Sequence, residues 1–114
     1  MHESTRACIA YIAGALVNRN CGSVVYDHTR SMFISISGTV ERNHVNIYDH
    51  DRDSYITGTI SNLYDFCRNS TVSLSVKGNQ IYGYDHGDGH DFFGDVNGNS
   101  VNVYHHETSF SYSL

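Results

Sequence analysis

The sequence predicts a mostly β domain of the α+β class: one N-terminal helix packed on or inside a curled antiparallel meander of about ten strands. Three observations predict it. Tyr-Asp-His recurs at 26–28, 48–50 and 84–86, with near copies at 64–66 (YDF) and 104–106 (YHH). Between these motifs apolar and polar residues alternate, the pattern of half-buried strands. One stretch, ACIAYIAGALV at 7–17, breaks that alternation and is apolar at helical spacing.

Residues 1–20 are expected to hold the helix. Ser4 or Thr5 offers an N-terminal cap, and Asn20 or Gly22 offers a stop. Cys8, Ile9, Ile12, Ala13 and Leu16 share one face, and Tyr11, Ala15 and Val17 widen it. A helix apolar over so much of its circumference belongs in a core. The segment is too short to span a bilayer, which takes ~20 apolar residues. Glu3 beside Arg6 is a poor start for a signal peptide.

Residues 22–114 then divide into five tandem β-hairpin repeats, which with the helix make a single domain over 1–114. The motif tyrosines are spaced by 22, 16, 20 and 20 residues, a hairpin period rather than that of a helical solenoid. The return strands place Ile34, Ile36, Gly38 and Val40 on one face, as do Ile56, Gly58 and Ile60. Val72, Leu74 and Val76 follow, then Phe92, Gly94 and Val96, and last Phe110, Tyr112 and Leu114. The outgoing strands add Val25, Val45, Ile47, Leu63, Ile81, Gly83, Val101 and Val103. That face should be buried under the helix, and the inward glycines should leave room for it. A two-sheet sandwich with the helix on one end satisfies the same alternation.

Composition excludes some functions. The formal net charge is −5 and the single Lys and six Arg form no cluster, so nucleic acid and anionic membrane surfaces are not expected partners. Cys8, Cys21 and Cys67 contain no paired zinc-ribbon or redox spacing. Their reading as reduced apolar side chains favours the cytoplasm over secretion. No GxSxG, dinucleotide fingerprint or phosphate-binding loop is present.

Two surfaces remain. Tyr26, Tyr48, Tyr64, Tyr84 and Tyr104 fall on the outer face among Asn, Ser and Thr, a composition suited to recognition of protein, carbohydrate or a second copy of the chain. The five motif loops share one edge and gather most of the His and Asp residues, among them His105 and His106. Asp at the start of each loop is the residue expected to accept a turn amide two positions on. Within the 85–91 loop, Asp85, His86, Asp88, His90 and Asp91 form the candidate ligand set for a divalent metal. Asp49, Asp51 and Asp53 imitate the start of a calcium loop, but Ser54 and Ile60 stand where Gly and Glu are needed. Because no catalytic constellation is unique among the repeats, the functional expectation is a non-enzymatic binding or interaction module. The alternative is a metal-dependent or acid–base enzyme centred on the 85–91 loop.

Overall fold

A computed structural model describes residues 1–20, 22–105 and 107–114; Cys21 and His106 lie outside the described residues. The helix α1 runs Glu3–Asn18. Its cap is neither Ser4 nor Thr5 but His2, whose ring Nδ1 accepts the Ser4 amide at 3.1 Å. Ser4 and Thr5 instead lie inside the first turn and are buried. The helix stops at Arg19, which adopts a left-handed conformation (φ 54°) and donates its amide to the Ala15 carbonyl. Every residue from Ser4 to Ala15 is buried, so the helix is enclosed on all sides.

Ten strands enclose it: β1 (Val24–Asp27), β2 (Met32–Glu41), β3 (His44–Asp49), β4 (Ser54–Thr59), β5 (Asn62–Asp65), β6 (Ser70–Lys77), β7 (Gln80–Asp85), β8 (His90–Asn97), β9 (Ser100–His105) and β10 (Thr108–Ser113). Each pairs antiparallel with its neighbours in sequence, and β1 pairs with β10 to close a barrel. This excludes the two-sheet sandwich and places the helix inside rather than across the sheet. The physical reason is barrel width. About eight strands make a barrel that inward side chains can fill, and a wider one needs something more in its lumen. Here α1 supplies it, with Ile9, Ile12 and Ala13 fully buried against Ile34, Ile47, Ile81 and Val103.

The period-two faces fall as the alternation predicts. Val25, Ile34, Ile36, Val45, Ile47, Ile56, Leu63 and Val72 all point into the core. The inward glycines are a correction. A Cβ on Gly38 would collide with the Asn46 carbonyl of β3, and one on Gly94 with the Asn102 carbonyl of β9. Their neighbours are adjacent strands, not the helix. Gly38 also sits at φ 134°, a bend within the part of the ten-residue β2 that pairs with β3. Such a corner in a tightly curled sheet excludes a side chain. The glycine that does face a close neighbour from the helix is Gly14, which lies against the Leu114 side chain.

The motif loops converge on the end of the barrel where α1 begins. In the first four, the residue five positions after the motif tyrosine is left-handed: Ser31, Asp53, Asn69 and Gly89, with φ between 52° and 74°. In the fifth, Glu107 takes that conformation (φ 63°), only three positions after Tyr104. The fifth loop is therefore the shortest, with β9 ending at His105 and β10 starting at Thr108.

Candidate functional site

The motif end of the barrel is built from the inside outward. Strand alternation turns each motif tyrosine outward and the next residue inward. Asp27, Asp49, Asp65 and Asp85 are thus buried beneath their loops rather than solvated at its rim. Each does accept the predicted turn amide: Thr29, Asp51, Cys67 and Gly87 donate to the respective Oδ1 at 2.9–3.0 Å. Burying a carboxylate requires a partner of opposite charge. Three of the four are followed three residues later by an arginine: Arg30, Arg52 and Arg68. Arg30 Nε and Arg52 Nε donate to Asp27 and Asp49, both at 2.7 Å. Arg52 also reaches Asp65 of the next unit at 2.9 Å, and Arg68 reaches Asp85 at 2.9 Å. In the fourth unit Asp88 replaces the arginine, and the Met1 α-amino group lies against Asp88 and 3.9 Å from Asp85. The first turn of α1 completes the assembly, with Thr5 Oγ1 donating to Asp65 at 2.6 Å. Carboxylates around a helix N-terminus are also favoured by the helix dipole.

These contacts set the electrostatics. Burial opposes the charge on Arg52, but hydrogen bonds to Asp49 and Asp65 outweigh it and hold the guanidinium more firmly protonated than usual. Burial, followed by the nearby Asp49, pushes the Cys8 thiol well above its ordinary range. A thiol so placed stays protonated and inert. Three of the six arginines that show no cluster in the sequence, Arg30, Arg52 and Arg68, form this ring. Their signal was the Asp-x-x-Arg spacing within three consecutive repeats.

Outside the barrel, the motif tyrosines meet other rings. Tyr26 packs edge-on against Phe33 and His28, Tyr48 against Tyr55 and His50, Tyr64 against Phe66, and Tyr84 against His86, with centroids 4.7–4.8 Å apart. His28, His50 and His86 share hydrogen bonds through Nε2 with Ser113, Ser37 and Ser73 at 2.7, 2.9 and 3.0 Å. Such threefold repetition marks these groups as parts of a structural corner.

The five candidate metal ligands of the 85–91 loop are not brought together as a set. Asp85 points into the barrel, and consecutive His86 points out of it to Ser73. Asp88 turns to the Met1 amino group, while His90 and Asp91 occupy the exposed start of β8. Among the described residues no group of three His, Cys, Asp or Glu side chains is placed to hold a metal ion. His106, counted with this edge in the sequence, lies outside the described residues.

The fifth unit departs from the others. His105 occupies the inward position that Asp holds elsewhere, and Thr108 stands where three units have arginine. Tyr104 stacks nearly parallel (19°) on Phe93, with centroids 5.2 Å apart. Around this pair lies a cleft of about 470 Å³ lined by His90, Asp91, Phe93, Tyr104, His105 and Glu107. Tyr104, His90 and Asp91 were candidate site residues from sequence, and His105 and Glu107 belonged to the same motif-loop edge; Phe93 joins them only through cross-strand pairing of β8 with β9. Comparison with known proteins finds no matching family model, no matching curated protein and no matching solved structure.

Proposed function

We propose that the chain is a non-enzymatic binding module that recognises its partner, protein or carbohydrate, through the exterior aromatic belt. One observation carries this reading. With the lumen filled by α1, large rings still stand exposed outside: Phe33 is 69%, Phe93 56% and Tyr55 50% accessible. They cluster on the motif tyrosines instead of scattering over the surface. The ring surface left in water adds nothing to the stability of the fold, whereas an exposed aromatic cluster suits recognition. The non-enzymatic part rests on the acids: the four buried motif carboxylates are engaged in turn bonds and ion pairs that hold the fold.

The test is an array of oligosaccharides and peptides probed with the intact chain and with a Phe33→Ser, Tyr55→Ser, Phe93→Ser variant. Saturable binding to a member of the array, weakened at least about tenfold in the variant while it remains cooperatively folded, is expected. Binding that is indifferent to all three substitutions, or absent across the array, removes the belt as a recognition surface.

A further inference from the structure

We infer that the cleft between β8 and β9 is a site for an organic cation, with a guanidinium group as the best match. The inference rests on the binding-module reading and gives it a ligand class. Three features lead to it.

The first is position. Four units repeat the inward Asp, the turn bonds and the outward tyrosine, and these account for the corner structurally. The cleft lies where the repeat breaks, beside the unit with His105 in place of Asp and with the shortest loop. A departure from a repeat that the fold does not require is where a specific site is expected.

The second is charge. Asp91 and Glu107 line the cleft, and no Lys or Arg is among its described lining residues. Asp91 is exposed, as is Glu107, and neither is engaged in an ion pair among those the structure shows. The third is the stacked Phe93–Tyr104 pair, which lines the same cleft. Ring faces attract cations, and a guanidinium, flat and weakly hydrated, stacks on a ring while its edge donates to carboxylates. The chain makes the ring-stacking part of this combination with a buried arginine of its own. The Arg6 guanidinium lies 3.4 Å from the centroid of the Phe110 ring and donates to the Tyr112 hydroxyl at 2.9 Å. A volume of about 470 Å³ accommodates one such side chain with its flanking atoms.

The experiment titrates the intact protein with N-acetyl-argininamide, and with its neutral isostere N-acetyl-citrullinamide, following the ring signals of Phe93 and Tyr104 by NMR. Binding of the arginine probe at least tenfold tighter than the citrulline probe is expected. Asp91→Asn with Glu107→Gln should abolish that preference, and Phe93→Ser should weaken the arginine probe at least tenfold. Glu41→Gln, an exposed acid on the far turn and outside the belt, should leave it unchanged. A Gly-Arg-Gly peptide and free methylguanidinium form two further arms: tighter binding of the peptide identifies a protein-borne arginine, and tighter binding of the small cation identifies a free metabolite. Equal affinity for the two amides, or a preference surviving the Asp91/Glu107 double substitution, overturns the proposal. If a neutral oligosaccharide instead binds in a Phe93-dependent way, the cation site falls and the binding module stands. If nothing binds anywhere on the belt, both fall.

Discussion

At the scale of single residues, Asp49 shows how a loop-starting carboxylate becomes an interior group. It is wholly buried, accepts the Asp51 amide, and receives Arg52 at 2.7 Å and the Cys8 thiol at 3.5 Å. Removing one partner of a buried pair strands the other, which costs about 3–5 kcal/mol, well above the worth of an exposed pair. Asp49→Ala is therefore expected to destabilise by about that amount in chemical denaturation, whereas Glu41→Ala, an exposed acid at the far turn, should stay within about 0.5 kcal/mol. Similar losses for both would mean that the carboxylate ring does not hold this end of the barrel. The sequence made the turn amide legible, because Asp at the start of a loop has one dominant use. It left the arginine partner unread. The i+3 spacing becomes informative only once Asp27, Asp49 and Asp65 are known to point inward, and they fall at the loop boundary where alternation is weakest.

At the scale of elements, α1 and the strands depend on each other. A helix with twelve consecutive buried residues has no solvated face and could not stand alone in water, and the strands without it would enclose a void. Its existence and its burial were legible from ACIAYIAGALV, since no polar stripe interrupts the apolar run. Its cap was not. His2 acts through a side-chain geometry that the usual preference for Ser or Thr conceals. The glycines show a similar limit. Alternation assigns them to the inward face, but Gly38 is exposed, and Gly38 and Gly94 are required by adjacent backbone, a matter of sheet curl that the pattern does not encode. The enclosed helix gives a direct contrast. Ile12→Asp puts an unpaired charge at a site with no solvent access and should cost several kcal/mol, enough to unfold a small domain. Tyr48→Ser on the exterior loses only ring contacts with Tyr55 and His50, about 0.5–1.5 kcal/mol each at most. Thermal melts of the two variants should separate clearly, and coincident melts would invert the assignment of faces.

At the scale of the whole molecule, closure decides what the surface can do. Unpaired first and last strands would have left β1 and β10 free to pair with another copy. Their union removes that route to self-association. The cleft itself was only half legible. Its Tyr104, His90 and Asp91 belong to visible motifs, but Phe93 reaches Tyr104 only through the β8–β9 register. Closure is also uneven. The β1–β10 seam has two register pairs, whereas β6–β7 and β7–β8 have six each. Fewer pairs bury less and open at lower free energy, so local opening should begin at the seam. Three equivalent amides measure this. His28 donates across the seam to the Ser111 carbonyl at 3.1 Å, His50 across β2–β3 to Ser35 at 3.1 Å, and His86 across β6–β7 to Thr71 at 2.9 Å. They share motif position and near-identical hydrogen-bond lengths, so differences in exchange report the strand pair rather than the local bond. The His28 amide is expected to exchange at least about tenfold faster than the other two under native conditions, equivalent to about 1.4 kcal/mol easier opening. Equal protection of all three would show that the barrel opens as one unit, with the seam held by the helix beneath it rather than by its own pairing.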